Sequence, residues 1–299
     1  MSSPLPEGWR PIRAEEAGAV AALIDEDEVA AGFRSRLGQE DVADIWAHTD
    51  LERDSWLREE EGRIVAAGGG QLHAGAYFAR GCVRPGAKGC GLGSVLLDLS
   101  EERARAHGVS SVHQVALGPD KSARSLLESH DYRSVRRHYA MTIELDEPTP
   151  EPELPPGLSI STFSPEDAEA WYAAMNRIFE EEWGFELEPF DEWWQRHEGD
   201  DHTLWFIVRD EGEIVALLHG TEGRRGGGLV NWLGVRKSWR RRGLAHALLR
   251  HSFREFQRRG ASRVGLGVDA ENPTGATRLY ESVGMRVEAD HVTFVKELT

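Results

Sequence analysis

Apolar residues recur at helical spacing at Leu244, Leu248, Leu249, Phe253 and Phe256, and Gly260 follows the run. That pattern predicts an amphipathic helix that opens near Gly243 and is closed by a glycine just past its end. Upstream, Leu204–Arg209 and Glu213–His219 alternate around Glu211-Gly212, and Leu229–Val235 is a further apolar run, so three strands are expected before the helix. The first half of the chain carries the same succession. Ser55–Glu59 and Arg63–Ala67 alternate around Glu61-Gly62, and a helix ends at Gly108. Each half also begins with a short apolar stretch, Trp9 to Ile12 and Leu158 to Ile160, followed by an acidic-led helical segment.

The echo extends to single residues. The stretch Gly81 to Leu97 lies over Leu233 to Leu249 without a gap, matching Val83 with Val235, Arg84 with Arg236, Gly91 with Gly243 and Leu92 with Leu244. A duplicated domain is the economical explanation. Between the copies, residues 146–157 hold five prolines among acidic residues, which can build neither a helix nor a central strand. The expected organisation is therefore an N-terminal domain over 1–146, a semi-rigid linker over 147–157 and a C-terminal domain over 158–299.

Composition narrows the function classes. With 40% hydrophobic and 29% charged residues the chain reads as soluble and globular, and no run approaches the ~20 apolar residues of a membrane span. The N-terminal residues show neither a basic region nor an apolar core, and Cys82 and Cys90 lack a zinc-ligand pattern, so a cytoplasmic protein with free thiols is expected. The twelve histidines show no metal-ligand spacing, and no metal is expected. A net charge of −16 argues against a nucleic-acid partner and favours a cationic one. Against this background Arg236, Lys237, Arg240, Arg241 and Arg242 form one dense basic segment.

That segment joins the strand ending at Val235 to the helix opening at Gly243. A helix N-terminus offers unpaired backbone N–H groups and the positive end of the macrodipole. Small residues at Gly243 and Ala245 let a pyrophosphate approach, and the arginines add charge-assisted donors. The segment has no Gly-Lys-Ser/Thr ending and no Gly-x-Gly-x-x-Gly, so neither a nucleoside-triphosphate loop nor a dinucleotide fingerprint is present.

Arg240-x-x-Gly243-x-Ala245 after an apolar strand resembles the coenzyme A motif of the GNAT superfamily of N-acetyltransferases, and Val264 to Met285 is similar to its second hallmark. The tandem layout, with Asn176-x-x-Phe179 and Trp183-Gly-Phe185, looks like the mycothiol synthase group. Residues 158–299 carry specific motifs; residues 1–146 match more loosely, through Lys88-Gly-Cys-Gly-Leu-Gly93.

The resemblance implies an α/β (α+β) fold duplicated in tandem, each sheet mixed and mainly antiparallel with flanking helices. It implies acetyl-CoA as acetyl donor, held by Leu233, Gly234 and Val235 on the strand, by Arg240, Arg241 and Arg242, and by Gly243, Leu244, Ala245 and His246 at the helix start, with Asn272 at the pantetheine arm. It carries the role of general acid toward the coenzyme A sulfur onto Tyr280. A bland reading of each stands beside these: Tyr280 packed on its helix, and Asn272 as a cap ahead of Pro273.

The general base is open. The strand Gly228–Val235 has no carboxylate; Asn231 can orient a water, and Glu181, Glu182 and His219 are the remaining groups. In the first half Leu127 falls opposite Tyr280, so that half is expected to be catalytically silent. The expected activity is direct transfer to a primary amine of a small molecule or peptide in a ternary complex, by a monomer or homodimer. The rival readings are a non-catalytic protein that binds acyl-CoA or sequesters a ligand on the same fold, and a tandem interaction module.

Overall fold

The computed structural model describes residues 5–32, 37–47, 49–73, 75–180, 187–223, 227–271 and 275–298. The chain falls into two compact units. The first comprises residues 1–139, 269–271 and 288–299, and the second 140–268 and 272–287. The first boundary thus falls inside a strand, ahead of the proline-rich stretch, and the chain's last twelve residues belong to the first unit. The duplication read in the sequence shows only the order of elements along the chain; it carries no signal for which unit the final strand of each copy joins.

In chain order the first copy runs β1 (Trp9–Arg10), α1 (Ala17–Ala30), α2 (Gln39–Trp46), α3 (Leu51–Asp54), β2 (Ser55–Glu60), β3 (Arg63–His73), β4 (Ala76–Val83), α4 (Leu92–Ala106), β5 (Ser111–Leu117), α5 (Lys121–Ser129) and β6 (Arg133–Glu144). The second runs β7 (Ile160–Thr162), α6 (Ala168–Phe179), α7 (Phe190–His197), β8 (Trp205–Asp210), β9 (Glu213–Gly223), β10 (Gly227–Val235), α8 (Leu244–Arg258), β11 (Arg263–Asp269), α9 (Ala276–Ser282) and β12 (Arg286–Glu297).

In the first unit the sheet order is β1-β2-β3-β4-β5-β12. Neighbours are antiparallel except β4 and β5. Period-two alternation on β2 and β3 feeds two cores. Trp56 and Ala66 pack with Leu96, Leu97 and Phe294, whereas Leu57 and Ala67 pack with Val20, Leu23 and Val42. In the second unit the order is β6-β11-β10-β9-β8-β7, with β10 and β11 parallel. Here the helical stripe behaves as its spacing predicts: Leu244, Leu248, Leu249, Phe253 and Phe256 are all buried. On the strand side Gly234 is a packing necessity, because a Cβ there would lie 2.3 Å from Ile178 of α6. Removing it lets α6 sit close on β10.

The proline-rich stretch holds no regular element, as its composition requires. It is fastened rather than loose. Gln257 Nε2 on α8 donates to the carbonyls of Leu145 (2.9 Å) and Glu147 (2.8 Å), and Arg254 Nη1 donates to that of Thr149 (3.2 Å). Among the described residues no helix is long and apolar enough to cross a membrane.

Candidate active site

In the second unit the parallel ladder between β10 and β11 covers Gly228↔Val264 to Val230↔Leu266 and stops there. Beyond Val230 the two strands no longer share a ladder, and the next residues of β10 are Asn231 to Val235. The pairing with β9 changes at the same place. Val230 is opposite Gly220, but Trp232 is opposite His219, so Asn231 is one residue too many on β10. This is a β-bulge: the extra residue leaves the ladder and its backbone groups lose their strand partner. Asn231 is exposed, and its Nδ2 donates to Thr221 Oγ1 at 3.0 Å.

In the first unit the β3–β4 pairing runs unbroken from Ala66↔Val83 to His73↔Ala76. The sequence held a trace of this difference. Glu61 matches Glu211 and Gly91 matches Gly243, so the second copy is two residues longer between those points. One extra residue lies at the hairpin tip, His73↔Ala76 against Gly223↔Gly227, and the other is Asn231.

After Val235 the chain makes a short 3-10 turn over Lys237–Trp239 and enters α8 through Gly243, whose φ of 84° and ψ of −3° are left-handed. No protein atom lies within 4 Å of where a Cβ at Gly243 would stand, and the left-handed backbone itself favours glycine. The first unit reproduces the turn: a 3-10 turn over Pro85–Ala87 and Gly91 at φ 83°, ψ −7°.

The charges on the two turns differ. In the second unit Arg240 Nε donates to the Val235 carbonyl at 3.2 Å, and Arg242 Nη2 to that of Ser238 at 3.2 Å. The Arg242 guanidinium also lies 4.5 Å from the centre of the Trp239 ring. Among the described residues no carboxylate pairs with Arg240, Arg241 or Arg242; Arg236, one turn earlier, is held by Glu213 at 2.8 Å. Arg241 is exposed with φ at 62°, a region that side-chain-bearing residues seldom adopt, and the matching position in the first unit is Gly89 at φ 83°.

Tyr280, on α9, is buried at 8% exposure. Its match to Leu127 is visible in the backbone: Met285 N donates to the Tyr280 carbonyl at 3.0 Å, and Tyr132 N to that of Leu127 at 3.0 Å. α9 has Gly275 at its N-cap, in the left-handed region at φ 77°. Asn272, Glu181, Glu182 and the Trp183-Gly-Phe185 motif lie outside the described residues. The site therefore gathers Asn231 and Leu233–Val235 on β10, Arg240–Arg242 on the turn and Gly243–His246 on α8 along one continuous stretch of chain, with Tyr280 on a separate helix of the same unit.

The sequence profile of the acetyltransferase (GNAT) family matches residues 17–132 and 168–285. The chain belongs to this family. Both copies are GNAT domains, and the protein is an N-acetyltransferase. It is 34% identical to a mycothiol acetyltransferase of Thermobispora bispora over 212 residues, which are 68% of this chain and 70% of that one. Among solved structures, a GCN5-related N-acetyltransferase of Sphaerobacter thermophilus superposes with a TM-score of 0.89 at 33% identity, covering 98% of this chain and 97% of its own. A tandem GNAT protein of the clavulanic acid biosynthesis pathway shares the fold, with a TM-score of 0.71 at 17% identity, covering 97% of this chain and 98% of its own.

Within the GNAT frame His219 proves a poor proton acceptor. It is 5% exposed, its ring centre is 4.2 Å from that of Trp205, and His197 stands edge-on to it at 5.6 Å. Burial, with the neighbouring His197, pushes its pKa down to about 4, outweighing Asp200, whose carboxylate is 3.9 Å away. The unfolded chain binds this proton near pH 6.5 and the folded one only near 4, so the histidine's contribution is complete above pH 6.5 and is lost as pH falls toward 4. At pH 5 the loss amounts to about 2 kcal/mol. His219→Gln, which carries no titrating group, is expected to lose that much less stability than the parent between pH 7 and pH 5 in urea unfolding. An unchanged pH slope in the variant would refute the assignment.

Among thiols, Cys82 Sγ donates to the Ala67 carbonyl at 3.6 Å and burial raises its pKa to about 12, which removes it as a nucleophile at neutral pH.

Proposed function

We propose that the C-terminal unit transfers an acetyl group from acetyl-CoA directly to a primary amine of a small molecule or peptide, in a ternary complex. The observation that carries this reading is the conjunction at one end of β10. A bulged, partly unladdered strand leads straight into a left-handed, glycine-opened helix start whose three arginines have no carboxylate partner among the described residues.

These residues fit coenzyme A. Its diphosphate needs backbone N–H donors and uncompensated positive charge, which the start of α8 and Arg240, Arg241 and Arg242 supply. Its pantetheine arm carries amides that need an extended backbone to pair with, which Leu233, Gly234 and Val235 offer once β11 has left the ladder. When bound, acetyl-CoA supplies an activated acyl group on a thiol leaving group.

The chain's own residues do the rest. Backbone N–H groups at the bulge, freed from β9, donate to the carbonyl oxygen as charge develops on it. The Tyr280 hydroxyl gives a proton to the departing sulfur; Leu127, its counterpart, lines a cavity in the first unit beside Gly81, Cys82, Val83 and Gly91, which supports a matching placement of Tyr280 beside Leu233 to Val235. Asn231, exposed at the bulge, orients the water that relays the amine's proton, since the strand offers no carboxylate. A thiol of pKa about 8.5 is a fair leaving group, so holding amine and thioester together accounts for much of the rate.

The net charge of −16 supports a cationic acceptor. The test is a panel of amines with acetyl-CoA, following free-thiol release and identifying acetylated products by mass spectrometry. The panel includes amino sugars, polyamines, peptides and the amine substrate of mycothiol acetyltransferase. Amine-dependent thiol release supports the reading, and thiol release that no amine accelerates refutes it.

A further inference from the structure

The first unit contains a cavity of about 410 Å³ where β4 and β5 part after Ala79↔Gln114, in the place corresponding to the coenzyme A slot of the second unit. That volume lies within the range of small-molecule sites. Leu96, Leu97, Leu126 and Leu127 form much of its wall, and the glycine-opened turn with Lys88, Gly89 and Gly91 forms its mouth. At the helix start the backbone angles of Gly91 match those of Gly243 to within a few degrees. By shape alone this pocket should take the same ligand.

Its charge says otherwise. Lys88, Gly89 and Cys90 stand where the second unit has Arg240, Arg241 and Arg242, so three cations have become one. The one that remains is already taken. Lys88 Nζ is 2.7 Å from Asp27 Oδ1 and 3.0 Å from Asp120 Oδ2, and Arg84 is paired with Glu26. Both aspartates line the cavity, so this end of it sets two carboxyl groups against one ammonium.

Neither aspartate is forced on the fold. The 3-10 turns that open α1 and α6 (Ala14–Glu16 and Pro165–Asp167) set Asp27 against Ile178, and Asp120 matches Asn272 in sequence. Asp120 also caps α5, accepting from Ser122 N and Ala123 N at 3.0 Å each, but an asparagine side chain can accept the same bonds.

We propose that the N-terminal pocket excludes coenzyme A, and that Asp27 and Asp120 are the residues that exclude it, leaving the pocket to apolar ligands that bear no phosphate. A diphosphate entering the turn would meet two carboxyl groups and a lysine already paired with them. Like charges so placed repel, and the N–H groups of one helix start do not offset that repulsion. The proposal rests on the reading of the second turn as a coenzyme A cradle, so its test counts sites as a difference.

The full-length protein is titrated with coenzyme A by calorimetry, as the parent and as Asp27→Asn/Asp120→Asn, each also carrying Arg240→Ala/Arg241→Gly/Arg242→Ala. The aspartate pair keeps the side-chain shape and the α5 cap while releasing Lys88. The parent is expected to take up one coenzyme A per chain and the aspartate variant two; in the arginine-deleted background the counts become none and one. A parent chain that takes up two overturns the proposal, as does a folded aspartate variant that gains no site. Asp27→Ile, which installs the residue of the second unit, provides the gain-of-site test if the double variant does not fold. A parent that takes up none sinks the C-terminal reading instead, and the added site in the aspartate variant still decides this one.

Discussion

Tyr280→Phe is expected to lower kcat for acetyl transfer about 100-fold while leaving the affinity for acetyl-CoA within about twofold. The substitution deletes a single hydroxyl from a side chain that is 8% exposed, so the ring keeps its packing and the α9 backbone its bonds. The proton donor is removed. General acid catalysis contributes between about 100-fold and 10,000-fold, and a thiol is stable enough as an anion to place this reaction at the low end. The split between kcat and binding is the informative part. A packing defect would disturb the unfolding midpoint and raise the KM for acetyl-CoA along with any loss of rate. A variant that turns over within about threefold of the parent rules out Tyr280 as the acid. A protein that merely sequesters acyl-CoA has no turnover to lose, so the same measurement separates the two classes.

Leu127 holds the matching position in the other copy and likewise has no hydroxyl, and the contrast shows what sequence comparison can and cannot reach. The strands, the buried stripe of α8 and the repeat were legible because each is a periodic signal. Short apolar runs about Glu-Gly turns mark β2, β3, β8 and β9, and the three-to-four-residue spacing of Leu244 to Phe256 marks a face. Glycine at 243 was legible as well, and the structure adds a conformational reason for it, a φ of 84°.

The bulge at Asn231 was not legible, because a bulge adds one residue to a strand without altering its composition. Only the register of β9 against β10, or the two-residue difference between the copies, exposes it. Nor could the pairing of Lys88 be read, since Asp27 and Asp120 lie 61 and 32 residues from it in the chain (88 − 27 and 120 − 88). The membership of β12 in the first unit is non-local in the same way. What escapes is each feature set by a partner distant in sequence.

Arg241 is the place where the two copies differ most informatively, and it leads to the second large effect. Arg240→Ala/Arg241→Gly/Arg242→Ala is expected to weaken coenzyme A binding about 1,000-fold, at about 1.5 kcal/mol for each charge-assisted contact removed. Thermal stability should move the other way. An arginine at φ 62° sits in a conformation that costs about 1 kcal/mol or more, and Gly89 shows that the same turn closes without a side chain there. Glycine relieves that strain, and the loss of three neighbouring like charges relieves their mutual repulsion. The packing of α8 against the sheet is untouched, since its buried residues begin at Leu244. A strained residue kept beside two like charges, with no carboxylate paired to any of the three among the described residues, suits an anion-binding turn. The measurement is calorimetric affinity alongside the melting temperature in the absence of ligand. Weaker binding with an equal or higher melting temperature supports the cradle. A variant that melts markedly lower while binding coenzyme A as the parent does would show that the arginines serve the fold, and that the ligand's phosphates lie elsewhere.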